Sequence, residues 1–170
     1  MIDIVPFASE EYLLMLGLMI VGRGMDFLST WIATPNLVLE ANPIARRLGW
    51  KLGLLVNFGM CLAVAFWPLP AIIIVTTSLL VAARNFKSAW LMRSLGEERY
   101  LAFMLNQMAV SSRGVFYLCL FAETLLIGLV GLAIAVFSHY PMILMAVGVG
   151  VMAYAFAVMF YSLIALMKSR

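Results

Sequence analysis

Charge is what this chain has least of: Asp, Glu, Lys and Arg make up 11% of its 170 residues, against 65% apolar. A soluble domain carries about 25% charged and about 45–50% apolar residues, which excludes water as the solvent for most of this surface. Histidine occurs once and cysteine twice. With no His-Glu-x-x-His pair, the zinc hydrolysis that needs two histidines on one helix face is excluded. His139 stands beside Tyr140-Pro141, where a solvated turn residue belongs. Cys61 and Cys119 fall inside apolar runs without Cys-x-x-Cys spacing, and both read as small buried residues. No metal or other cofactor is expected. A glycine-rich phosphate loop is missing too, and Ser111 and Ser112 have no adjacent base, so they read as helix caps. The basic residues form no stripe, and nucleic acid is not an expected partner. The N-terminal stretch, with Asp3, Glu10 and Glu11, lacks a basic n-region; the first apolar run is therefore read as retained.

What is present is five long apolar runs, at 12–32, 51–67, 70–92, 115–138 and 142–167. They are continuous and rich in Leu, Ala and Met, unlike the alternation of barrel strands. The expected fold is all-α: a polytopic membrane helical bundle of five transmembrane helices in a single domain, 1–170, with two cytoplasmic amphipathic segments. Trp50 and Trp67 bound the second run, where aromatic residues mark the two interfaces. Arg46, Arg47 and Lys51 follow the first run, and Lys87, Arg93, Arg99 and Arg113 cluster around the end of the third and the start of the fourth. Lys168 and Arg170 follow the fifth, while the opposite turns carry no Lys or Arg. The positive-inside rule gives an N-terminus outside and a C-terminus inside. Of the two longer inner connections, the first breaks at Thr34-Pro35 and restarts at Asn42-Pro43, an N-cap followed by proline, so a short helix over 43–48 is expected. The second, 96–113, opens with Glu97, Glu98 and Arg99 and reads as an interfacial helix. Glu97-Glu98 is similar to the paired glutamates of prenyl-protein proteases, but the histidines those enzymes require are absent.

Arg23 and Asp26 lie inside the first run, where a charge must be paired, buried or wetted by a cavity. At about 1.5 Å rise per residue, Arg23 lies near the middle of its span and Asp26 roughly 5 Å to the inner side. Glu123, on a helix of opposite direction, comes to about the same depth, as do Arg84, Asn85 and Asn57. Four helices therefore contribute to one polar layer, and the fifth offers Tyr154, Tyr161 and Ser162. Arg23 and Asp26, three apart, share a helix face and can pair, and Thr30 extends that face. Arg84 and Glu123 are natural partners between helices. Gly148 and Gly150, with Ala146, fit close helix packing, and the 13 Met residues are scattered as packing residues.

The stretch Asp26-Phe27-Leu28-Ser29-Thr30, followed by Glu40-Ala41-Asn42-Pro43, is more specific. It resembles a family of small bacterial and archaeal integral membrane proteins classed as a domain of unknown function, which pair an Asp-x-x-x-Thr helix end with a Glu-x-Asn-Pro element. The resemblance covers about residues 20–60. It implies that Asp26, Thr30, Glu40, Asn42 and Pro43 act as a unit in a bacterial or archaeal cytoplasmic membrane, and it implies no activity. Read from the residues, Glu40 and Asn42 lie just past the first helix, where a folded-back loop meets Asp26 and Thr30. Asn42 equally serves as a cap, and Glu40 favours the next helix's N-terminal dipole.

Three functions stay open. The polar layer binds or conducts an ion, proton or small polar solute through Arg23, Asp26, Thr30, Glu40, Asn42, Asn57, Arg84, Asn85 and Glu123. Alternatively, Asp26, Glu40 or Glu123 serves as general acid or base of a membrane-embedded enzyme acting on lipid or peptide. In the third, the charges only fix helix packing in an accessory or assembly protein. Membrane lipids are the expected surroundings, and five helices make a thin pathway alone, so transport would favour a homo-oligomer.

Overall fold

Backbone N–H and C=O groups have no water to bond in a bilayer, so continuous apolar runs cross it as helices. The computed structural model describes residues 4–137 and 142–168, and these form six helices. They are α1 (Glu10–Ala33), α2 (Pro43–Val64), α3 (Pro68–Leu95), α4 (Glu97–Val110), α5 (Arg113–Phe137) and α6 (Met142–Lys168). All but α4 contain a stretch long and apolar enough to span a membrane. The chain is a multi-pass helical bundle.

The breaks follow from local chemistry. Ser9 caps α1 by accepting from the Tyr12 N–H at 3.2 Å. Asn42 Oδ1 accepts from Ile44 N at 3.0 Å and caps α2, with Pro43 at the first helical position. Gly49, at φ +64°, then interrupts α2 and separates a short 43–48 helix from the longer span, as expected. That span ends at Val64 rather than 67, and α3 starts at Pro68 rather than 70. The reason is that Pro68 takes the first position of α3, where its missing N–H costs nothing. Gly96, at φ +81°, turns the chain from α3 into α4. The 138–141 turn, with His139, lies outside the described residues.

The spine of the bundle is α1 on α3, α3 on α6 and α6 on α5. Small residues permit this approach: a Cβ on Gly148 would lie 2.6 Å from the Gly131 carbonyl oxygen, and one on Gly150 would lie 2.7 Å from Thr76 Cβ. Helix α2 packs more lightly on α1 and α3. Cys61, on α2, is buried beside Met19 and Ala71. Cys119 is exposed, against expectation, because α5 packs extensively only on α6 and turns its remaining surface outward. At the end of the bundle near residue 10, Val5 N donates to Phe66 O at 3.0 Å, and Tyr12 OH donates to Leu62 O at 3.2 Å. The rings of Phe7, Tyr12 and Phe66 gather there. Polar contacts concentrate toward the other end.

Candidate functional site

Arg23 is the hub of the polar layer, and it ties three helices together. Its Nη1 donates to Asp26 Oδ2 at 2.7 Å on α1 and to Ser78 Oγ at 3.1 Å on α3. Its Nε donates to Asn57 Oδ1 of α2 at 2.8 Å, and Nη2 donates to the same oxygen. Asn57 is oriented in turn by its own Nδ2, which donates to Gly53 O at 2.7 Å. One turn beyond Asp26 on α1, Asn85 Nδ2 of α3 donates to Ser29 Oγ at 3.2 Å and Thr30 Oγ1 at 3.3 Å. No buried side-chain nitrogen or oxygen among the described residues is left without a partner.

These groups line a cavity of about 690 Å³ that is open along part of its wall. Of the nine residues expected to form a site, Arg23, Asp26, Thr30, Glu40, Asn42, Asn57, Arg84 and Asn85 all line it. Tyr161 and Ser162 of α6 close another wall, while Tyr154 packs instead with Leu120 and Val158. Glu123 pairs with Arg84 as expected, Oε1 to Nη1 at 2.8 Å, but it does not line the cavity. It is also 46% exposed. Depth along a helix is therefore right for Glu123, but its direction around the helix takes it outside the chamber.

Residues 34–48 cross the loop end of the cavity, and Leu37, Leu39, Glu40 and Ala45 are among its lining residues. Glu40 and Asn42 thus do fold back over the chamber that holds Asp26 and Thr30. They reach it without bonding to either: Glu40 Oε1 accepts from Asn42 N at 2.7 Å, and Asn42 caps α2. Asp26 and Glu40 each present a second carboxylate oxygen that accepts no hydrogen bond among the described residues.

A further carboxylate, Glu97 at the start of α4, is buried against the same connection. Its Oε1 accepts from Asn36 N at 2.8 Å and Asn36 Nδ2 at 2.9 Å. Its Oε2 accepts from Val38 N at 3.0 Å and from the Thr34 hydroxyl. Leu37, between those two N–H groups, has φ +57°. A left-handed residue there turns both N–H groups to one side, making a concavity suited to an anion. Burial alone would raise the Glu97 carboxyl, but the bonds from Thr34, Asn36 and Val38 outweigh it and hold the group below the ordinary glutamate value. Sequence reasoning places Glu97 at the start of an interfacial helix and gives it no role at the site. It also missed Ser78, although Ser78 stands seven residues before Asn85 and so on the same face of α3.

Among the described residues, no group of three or more His, Cys, Asp or Glu side chains is arranged to hold a metal ion. No family model matches this chain, and no curated protein or solved structure is significantly similar to it.

Proposed function

We propose that this multi-pass membrane protein holds a small cationic solute, such as a protonated amine, in the chamber between α1, α2, α3 and α6. One observation carries the reading. Arg23 commits four of its five N–H donors to Asn57, Asp26 and Ser78, while Asp26 and Glu40 each keep a free carboxylate oxygen on the cavity. Arg84 also lines the chamber, but its charge is paired with Glu123, so the unpaired carboxylate oxygens of Asp26 and Glu40 suit a donor-rich cation. The volume falls within the range of about 300–1,000 Å³ for small-molecule sites. We place the loop end of the chamber on the cytoplasmic side, because Arg46, Arg47, Lys51, Arg93 and Arg99 all belong to that end. Asp26, Thr30, Glu40 and Asn42 all line this one cavity, which supports treating them as one unit.

That Arg23 spends four of its five donors on helix partners also favours a second reading, in which the network serves only helix packing. Thermal unfolding of the detergent-purified protein separates the two. The panel is ammonium, methylamine and larger amines, alkali cations, phosphate and sulfate. At 100 times its Kd a ligand stabilises the folded state by about 2.7 kcal/mol. An amine is expected to raise the Tm of the wild type and of Glu123→Gln, but not of a folded Asp26→Asn variant. If no solute moves any Tm and Asp26→Asn merely melts lower, the packing reading replaces the binding one.

A further inference from the structure

Residues 34–48 join α1 to α2 and close one end of the chamber, and the bonds that hold them are unevenly distributed. Within the two helices it joins, the connection is tied by its own turns and by Trp50 Nε1, which donates to Pro35 O at 2.8 Å. Beyond those helices its hydrogen bonds run to a single side chain, Glu97 of α4, among the described residues. Four donors from Thr34, Asn36 and Val38 converge on that carboxylate. The Thr34 hydroxyl accepts in turn from Leu39 N at 3.1 Å, so the contact organises the turn as well as anchoring it. At the far end, Gly49 has the backbone freedom of a pivot at φ +64°, and a Cβ there would meet nothing within 4 Å. Leu37 is held in a left-handed conformation that an ordinary side chain disfavours, so the turn is held against strain.

We infer that the 34–48 segment is a strap that gates the loop end of the chamber, pivoting at Gly49, and that Glu97 is the latch holding it closed. The inference rests on the reading of the chamber as a ligand site, and it adds how that site is reached. When the carboxylate releases Thr34, Asn36 and Val38, only the segment's own turns and the Trp50 contact still hold it, and Leu37, Leu39 and Glu40 move with it away from the chamber. Glu97 is a positioning residue: it touches the strap and does not line the cavity.

The test uses the full chain with Cys61→Ala, Cys119→Ala and Ala157→Cys, which puts one thiol on the α6 wall of the chamber, away from the strap. The rate of modification by a charged, water-soluble methanethiosulfonate is measured alongside deuterium uptake of residues 35–42. Glu97→Gln and Thr34→Val are each expected to speed modification about tenfold and to deprotect 35–42, with α1 and α3 unchanged. Having two variants keeps the test alive if one of them fails to fold. Rates and uptake equal to wild type in both would overturn the latch. So would a lipid-soluble maleimide that reacts fast in wild type and variants alike, which would put access between α2 and α6. Methylamine is added as a protecting solute. Glu97-dependent rates without any protection would leave the latch standing and refute the binding reading. Protection with Glu97-independent rates would do the reverse.

Discussion

Replacing Arg23 by Met removes four hydrogen bonds at once, because Asp26 Oδ2, Ser78 Oγ and Asn57 Oδ1 all take their donor from that guanidinium. Removing one partner of a fully buried ion pair costs about 3–5 kcal/mol. Here Arg23 and Asp26 keep 24% and 18% of their side-chain surface, facing the cavity they line, so about 2–4 kcal/mol is expected. Asp26→Leu is milder, since Arg23 keeps Asn57 and Ser78; losing one bond to a charged group costs about 1.5–3 kcal/mol. The double variant leaves no unpaired charge, only the neutral Asn57 and Ser78 groups, at about 1–3 kcal/mol. The summed singles should therefore exceed the double by about 3 kcal/mol, with Arg23→Met the worse of the two. Reversible unfolding in mixed micelles of a nonionic detergent and dodecyl sulfate measures all four corners of the cycle. Additivity to within about 0.5 kcal/mol, or an Asp26→Leu cost above that of Arg23→Met, would refute the hub described for Arg23.

Two further outcomes follow from the packing and from the latch. Gly148→Val would put a Cβ 2.6 Å from both the Gly131 carbonyl oxygen and Ala135 N, so α5 and α6 must separate. A lowered Tm is expected, with a loss of about 1–3 kcal/mol or more, whereas Gly59→Ala, with nothing within 4 Å, should be neutral or stabilising. For Glu97, the folded carboxyl is held below its ordinary value of 4.5. Its stabilisation is therefore fully present above about pH 4.5 and is lost as pH falls through the lower folded value. Deuterium uptake of 35–42, corrected for intrinsic exchange, should stay flat from pH 7 to 5 and rise below that range. Glu97→Gln should show no such step.

The bundle was legible because hydrocarbon leaves a continuous apolar run of this length one solution, the helix, and the chamber because polar groups are costly there. Arg23, Asp26, Asn57 and Asn85 stand out against Leu and Ala, and rise per residue puts them at one depth. Rise says nothing about azimuth, and so Glu123 was placed at the correct level but on the wrong side of the chamber wall. The same blindness made Cys119 look buried. Asn42-Pro43 announced its cap through local chemistry, and the 43–48 helix followed from it. Glu97 could not be found this way. Its partners stand about 60 residues earlier in an irregular turn, with no period to link them, and the turn itself depends on a left-handed Leu37 that no residue preference announces.

The spacing of Arg23 and Asp26 also bears on how the protein is made. Helix α1 precedes α2 and α3 in the chain, and so can enter the membrane before Asn57 and Ser78 are in place to receive the guanidinium. Two isolated charges near the middle of that helix would add about 2.5–3.5 kcal/mol each to its insertion. Three residues apart, they bond within α1 itself at 2.7 Å, so the first helix can enter the lipid carrying no net charge in its interior. The contact that begins as a provision for insertion then becomes, once α2 and α3 arrive, the centre around which the chamber is assembled.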